Sequence, residues 1–323
     1  MPAAKISASK IYIAPISNGL GDLICSLPVV QALIKSGVET HLVLRSQAQK
    51  GLESRISGLA GTILESDLPN LPDEPGTKVI NLRDHPLQTG HIWGSEEFLK
   101  AFPNFYIDDV ISKIAEDFGL SGDFESLKPL SSKEDPRSQG KVLFVPGSRG
   151  SQKCWPTKEW LALAKRLQAD GIDCAILGQP AVDPQVQTLI DQGLTWIETP
   201  LLVDALDAIS SAKAVIGVDT GLMHLAVHQH IPTVALFRYN AIFARKKRHV
   251  RSFLAPKCPA ACLTVEFDSD CHKQLTFTDA GEGPQAFYWS SWQCQEAASD
   301  HCMSKISCDE VYEAMFDLSY ANR

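Results

Sequence analysis

The feature that most constrains this chain is a junction that occurs three times, in which an apolar run passes through a short turn directly into an apolar-periodic helix. In the clearest instance Val215-Ile216-Gly217-Val218 meets Asp219-Thr220-Gly221, and Leu222-Met223-His224-Leu225-Ala226 continues as helix. Such a turn presents backbone N–H groups at a helix N-terminus, where they lack intrahelical partners and favour an anion. A plain capped strand-to-helix junction would look the same in this stretch alone. The second instance runs from Lys10-Ile11-Tyr12-Ile13-Ala14 through Ser17-Asn18-Gly19-Leu20-Gly21-Asp22. Its two glycines let the backbone approach a ligand closely, and Asp22 projects from the first helical turn, where an acid also simply complements the helix dipole. The third opens from Lys141-Val142-Leu143-Phe144-Val145 into Pro146-Gly147-Ser148-Arg149-Gly150-Ser151-Gln152-Lys153, ahead of Trp155-Pro156 and a helix from Thr157. Cations at Arg149 and Lys153 suit a diphosphate, although a lone loop lysine is ordinarily solvated surface.

Strand and helix patterns alternate in two blocks. The first predicts strands near 10–16, 40–45 and 78–83 and helices near 22–36, 94–102 and 109–118. The second predicts strands at 141–146, 173–178, 194–198, 214–218 and 233–237, helices at 157–169, 183–191, 202–211 and 221–229, and a final helix near 308–319. Between them the polar stretch 130–140 has no apolar period and reads as a linker joining a domain at 1–130 to one at 141–307. Alternation of this kind specifies an α/β fold with mostly parallel, helix-covered sheets. In such sheets ligands collect beyond the carboxyl ends of the strands, which is where all three junctions lie.

Composition removes several function classes. A net charge of −8 argues against nucleic-acid binding, which needs a basic surface. No stretch reaches the ~20 uninterrupted apolar residues of a membrane span. Gly21-Asp22 interrupts the N-terminal apolar segment, unlike a signal peptide, so the chain reads as cytoplasmic. There is no Gly-x-Ser-x-Gly elbow, no complete Walker-type phosphate loop, and no full Gly-x-Gly-x-x-Gly dinucleotide fingerprint.

Taken in order, Gly19-Leu20-Gly21-Asp22 with Leu27-Pro28, Pro146-Gly147-Ser148 with Lys153-Cys154-Trp155-Pro156, and Asp219 to Ala226 followed by Pro232-Thr233-Val234-Ala235-Leu236-Phe237 resemble glycosyltransferase family 9, the heptosyltransferases of lipopolysaccharide assembly. The resemblance implies a GT-B architecture, two Rossmann-like domains facing across a cleft, with the 308–323 helix packing back on the first domain. It implies inverting transfer of a sugar, heptose from ADP-heptose in the leading case, to a lipopolysaccharide-core, glycan or lipid-linked glycan acceptor. Asp22 is then the general base and Lys153 the diphosphate contact. The donor side comprises Gly147, Ser148, Lys153, Glu198, Asp219, Thr220, Gly221, Leu222 and His224, and Asn18, Gly19 and Gly21 lie on the acceptor side. A carboxylate at Glu198 suits a ribose diol, while a solvent-facing strand-end acid is the competing reading; His224 either reaches the diphosphate or packs in its helix. No cofactor and no catalytic metal is implied. A GT-B epimerase or hydrolase and a non-catalytic nucleotide-sugar-binding protein stay as alternatives.

Some segments stand apart from that pattern. Arg238 and Val145 occupy positions where family members commonly carry glycine and histidine. Six cysteines crowd the C-terminal part, from Cys258 to Cys308, five of them on an insertion at about 258–302. Cys258 and Cys262 have a spacing that structural zinc ligands use, and reduced thiols are the other reading. Asp268-Ser269-Asp270 looks like a metal-binding triplet but reads as a solvated loop, and Phe287, Tyr288, Trp289 and Trp292 suit either sugar stacking or a local core. Arg245-Lys246-Lys247-Arg248-His249 with Arg251 forms a basic run that either solvates or meets a phosphorylated lipid or the inner-membrane face.

Overall fold

The computed structural model describes residues 8–89, 96–120, 122–124, 126, 128–148, 153–238, 242–256 and 302–320. The chain divides between Ser131 and Ser132 into two compact units. In the first, β1 (Lys10–Ala14), β2 (Glu39–Leu44), β3 (Gly61–Leu64) and β4 (Thr77–Asn81) form a sheet of order β3-β2-β1-β4 in which every pairing is parallel. Ile11, Ile13 and Ala14 are fully enclosed because β1 is central and covered on both faces, which is what the uninterrupted apolar run anticipates. Helix α1 (Leu20–Lys35) connects β1 to β2; α2 (Pro86–Thr89), α3 (Glu96–Ala101) and α4 (Ile107–Asp117) follow β4. Apolar positions Val110, Ile111 and Ile114 turn one stripe of α4 inward, and α4 packs on α1.

The second unit contains β5 (Val142–Val145), α5 (Thr157–Ala169), β6 (Cys174–Ile176), α6 (Pro184–Asp191), α7 (Leu202–Ser211), β7 (Ala214–Val218), α8 (Gly221–His228), β8 (Thr233–Phe237) and β9 (Val250–Leu254). Its sheet is again wholly parallel, in the order β6-β5-β7-β8-β9. All five residues of β7 and of β8 are buried. Trp160 packs edge-on against Trp155 at 5.0 Å and beside Phe144 at 5.1 Å, filling the space between sheet and α5. The expected strand at 194–198 is reduced to a single bridge from Ile176 to Trp196, since Thr195 and Glu198 turn outward and only Ile197 is buried. Two strands escaped the sequence reading, β3 and β9, both at sheet edges where burial alternates or is partial.

The polar 130–140 stretch, which contains the boundary between the units, is held by hydrogen bonds. The Ser131 N–H donates to the Arg55 carbonyl at 3.1 Å, whereas the Lys133 N–H donates to Asp207 at 2.8 Å, the Asp135 N–H to Ser211 at 2.8 Å, and Gln139 bridges to Ala212. The final helix, α9 (Cys308–Tyr320), spends its apolar face within the second unit. Val311 and Met315 are fully enclosed in the core that holds Trp155 and Trp160, and Trp155 Nε1 donates to the Ile306 carbonyl at 2.9 Å. At the rim Tyr312 Oη donates to Asp170 at 2.6 Å, while Arg166 pairs with Asp309 and stacks over the Tyr312 ring at 3.8 Å. Met315→Ala should therefore cost about 2–5 kcal/mol in urea unfolding. A loss below about 1 kcal/mol would show that α9 is peripheral to this core.

Candidate functional site

Strand order locates where each unit can take a ligand. In the second sheet the crossovers from β5 and β7 run in opposite directions, to β6 on one side and β8 on the other, so the crevice beyond the carboxyl ends of β5 and β7 is a switch point. Two of the three junctions end there, Pro146-Gly147-Ser148 with Lys153 after β5, and Asp219-Thr220-Gly221 after β7. Lys153 Nζ pairs with Asp219 Oδ2 at 2.7 Å, and His224 Nε2 lies 3.2 Å from Asp219 Oδ1. Asp219 is 6% exposed and His224 2%. Burial alone would raise the Asp219 carboxyl, but Lys153 and then the His224 hydrogen bond hold it far below the usual carboxylate range. His224 is pushed below its ordinary value by burial, against the pull of Asp219, and is neutral at pH 7. The histidine therefore meets Asp219 from within the helix, with Phe237 and Phe243 beside its ring.

Thr220 is the N-cap of α8 in extended backbone geometry, and its side chain makes no capping hydrogen bond. The first N–H groups of α8, at Gly221 and Leu222, thus start the helix with only partial shielding, since both residues are half-buried. Gly147 is required sterically, because a Cβ there would fall 1.5 Å from Asp183 Oδ2. Asp183 caps α6 by accepting from the Gln185 N–H at 3.1 Å and the Val186 N–H at 3.4 Å, and burial raises its pKa. Sequence reasoning missed Asp183; its only sign was an Asp-Pro pair ahead of an apolar helix. Ser148 is half-buried, and Glu198 is exposed with its carbonyl accepting from Arg137 Nη1 at 2.9 Å. Burial pushes the thiols of Cys154 and Cys174 up to about 11, so both behave as small packing groups.

In the first unit the reversal falls between β1 and β4. Asn18, Gly19, Gly21 and Asp22 form the turn after β1, and the Asp22 carboxylate accepts from the Gly19 N–H at 2.8 Å, closing the start of α1. Beneath the turn lies a polar network the sequence reading did not identify. Arg45, directly after β2, donates through Nε to the Pro15 carbonyl at 2.8 Å and pairs with Glu65, which directly follows β3, and with the Asn81 side chain at the end of β4. Arg83 donates to the Asn18 side chain. Gln49 Nε2 holds the carbonyls of Ser17 at 2.8 Å and Gly19 at 3.1 Å, and Ser46 holds that of Asn18 at 2.6 Å. Asp22 lies close enough to favour the charged forms of both arginines.

The basic run is only partly exposed. Arg245 is 2% exposed and turns inward near His224, and His249 bonds the Val227 carbonyl at 2.8 Å, leaving Lys246, Arg248 and Arg251 as its exposed members. Arg149, Asp268-Ser269-Asp270, the aromatics from Phe287 to Trp292, and Cys258 and Cys262 lie outside the described residues. Among the described residues no cluster of three metal-ligating side chains occurs, and no helix is long and apolar enough to cross a membrane.

The family model for glycosyltransferase family 9 (heptosyltransferase) matches residues 110–243. The chain resembles glycosyltransferase family 9. That stretch contains the Lys153-Asp219-His224 cluster and leaves Asp22 outside. Lipooligosaccharide heptosyltransferase 2 of Haemophilus influenzae is 30% identical over 105 residues, which is 30% of this chain and 30% of its own length. The curated relatives that match are covered over less than half of their lengths. Among solved structures, a glycosyl transferase family 9 protein from Veillonella parvula superposes with a TM-score of 0.67 at 16% identity, covering 99% of this chain and 100% of that one. E. coli heptosyltransferase WaaC with ADP-2-deoxy-2-fluoro heptose gives 0.58 at 15% identity, covering 76% of this chain and 93% of its own. The fold is thus of the GT-B kind, with two Rossmann-like units.

The Lys153-Asp219 pair generates a pH signature. The folded pKa of Asp219 is depressed, so its contribution to stability is fully present above the unfolded value, about 3.9, and drains away as pH falls toward the folded one. Asp219→Asn should cost about 3–5 kcal/mol at pH 7, because Lys153 loses its counter-charge. The gap from the parent protein should narrow as pH drops below about 4. Denaturant melts at pH 7 and pH 3 check this, and an identical gap at both would show that the carboxylate charge is not what matters.

Proposed function

We propose that this protein is an inverting glycosyltransferase that moves a sugar, heptose from ADP-heptose in the first instance, onto a lipopolysaccharide-core or related glycan acceptor. The observation that carries the reading is the Lys153-Asp219-His224 cluster at the switch point of the second sheet, next to the N-terminus of α8. Asp219 holds the lysine, so a cation stands ready at fixed position beside helix-terminal N–H groups. A nucleoside diphosphate gathers negative charge on its leaving oxygen as the glycosidic bond breaks. A preplaced cation and aligned amides stabilise that charge without reorganising. The family resemblance and the ADP-heptose analogue bound to WaaC favour ADP-heptose as donor.

On the acceptor side, a sugar hydroxyl is a poor nucleophile until its proton is removed during attack, and Asp22 takes that role. The Gly19 N–H fixes one of its carboxylate oxygens, orienting the other edge of the group. Lys153 and the α8 amides supply the charge that a divalent ion provides elsewhere, so transfer proceeds without one and a chelator leaves the rate unchanged. The protein works at the cytoplasmic face of the inner membrane, where such acceptors are assembled, and Lys246, Arg248 and Arg251 are the cations that remain exposed for contact with it.

The test separates binding from turnover. ADP-heptose should raise the melting temperature above UDP- and GDP-sugars at equal concentration, and Lys153→Ala should remove most of that shift while the fold persists. Asp22→Asn should keep donor affinity and reduce transfer by at least about a hundredfold. Near-normal transfer by Asp22→Asn rules out the base, and loss of donor without acceptor in the wild type would identify a hydrolase or epimerase instead. Unchanged donor affinity in Lys153→Ala removes the lysine from the site.

A further inference from the structure

Lys153 is held at its tip by Asp219, yet a lysine carries its ammonium on a long flexible stem, so the place of the charge depends equally on the backbone beneath it. That backbone leaves β5 through Pro146-Gly147-Ser148 and reaches α5 through Trp155-Pro156. In the parallel sheet β6 lies beside β5, which brings α6, the helix that follows β6, against this loop. Asp183 and Gln185, at the start of α6, each touch the loop, one before Lys153 in the chain and one after it. The Asp183 Oδ2 fills the space a Cβ on Gly147 would take, 1.5 Å from that position, while Oδ1 receives the Gln185 and Val186 N–H groups. Gln185 donates through Nε2 to the Trp155 carbonyl. The Cys154 sulfur takes a hydrogen bond from the Ser148 backbone, which draws the two flanks together.

Neither side chain is what capping or packing alone would select. Gln185 keeps its Oε1 buried with no hydrogen-bond partner among the described residues, which is unfavourable and which an apolar side chain of the same length would avoid. The amide is there for its donor, and the carbonyl it serves belongs to the loop of Lys153. At Asp183 a serine would cap the helix as well. What the longer side chain adds is the second oxygen against Gly147. We propose, on the reading of Lys153 as the diphosphate contact, that Asp183 and Gln185 are positioning residues for it: the start of α6 braces both flanks of the loop and so fixes where the ammonium meets the donor.

The experiment uses the full chain and follows ADP and inorganic pyrophosphate, a probe without the base, by calorimetry, with melting temperatures read on the same samples. Gln185→Met keeps the length of the side chain and removes its donor, and Asp183→Ser keeps a capping oxygen but vacates the space beside Gly147. Each should weaken both probes at least about fivefold, since small displacements of a binding group are costly. Asp183→Ser also removes a negative charge near an anion site, which by electrostatics alone would tighten binding, so weakening there comes from lost bracing. Asp183→Asn, which keeps the filling and sheds the charge, should bind at least as tightly as the parent. In a Lys153→Ala background neither Gln185→Met nor Asp183→Ser should weaken binding further, because residues that act through the lysine are not additive with its loss. The brace is overturned if Gln185→Met and Asp183→Ser bind as the parent does, if Asp183→Asn is as weak as Asp183→Ser, or if the losses recur in full without Lys153. Should one of these variants fail to fold, the other decides. A wild type that binds pyrophosphate but not ADP counts against ADP-heptose alone, and the pyrophosphate titrations then judge the brace. A wild type that binds neither probe, or a Lys153→Ala variant that binds both as the parent does, overturns the diphosphate reading of Lys153 and the brace with it.

Discussion

Every strand pairing in both sheets is parallel, and that constraint decides where polar chemistry can sit. Central parallel strands are covered on both faces and tolerate almost no polar side chains, while the helices turn their apolar stripes inward. What remains is the rim. Arg45 follows the last residue of β2, Glu65 follows the last of β3, Asn81 ends β4, and Asp219 follows β7. Because parallel strands all point one way, these residues gather on one edge of each sheet without any single long-range contact having to organise them.

The two edges treat buried charge differently. Lys153, Asp219 and His224 form a closed set, since the carboxylate meets the lysine with one oxygen and the histidine with the other, and burial keeps the histidine neutral. Such a cluster adds little net stability, yet removing one partner is costly, so it fixes geometry more than it strengthens the fold. The Arg45-Arg83 pair is looser, with Glu65 paired directly to Arg45 while Asp22 and Asp84 favour the charged forms of both guanidiniums from further away. The first arrangement fixes a cation beside the start of α8, and the second spreads its balance over several carboxylates at the strand ends.

Much of this was legible in the amino-acid sequence. Helices α5 and α7 and strands β7 and β8 fall on the ranges that apolar periodicity predicts, because buried parallel strands read as unbroken apolar runs and surface helices as striped ones. Lys153 and Asp219 were both named from their turns, although nothing local showed that they bond to each other. The edge strands β3 and β9 were missed because half-covered strands carry a diluted apolar pattern. Arg245 was read as surface because it begins a basic run, and the packing beside His224 buries it instead. Arg45, Arg83 and Asp183 were invisible for a similar reason, as an isolated charge after a strand normally points to water.

The sequence by itself determined the alternation of strands and helices, the three junctions, and hence the class of fold, because these depend on residues adjacent along the chain. Tertiary structure alone decided which β/α turns became neighbours, which charges were paired, and that α9 completes the core of the second unit. Strand order and burial are properties of the assembled sheet. A charge's meaning, whether solvated, bridged or balanced from a distance, depends on what the sheet places around it.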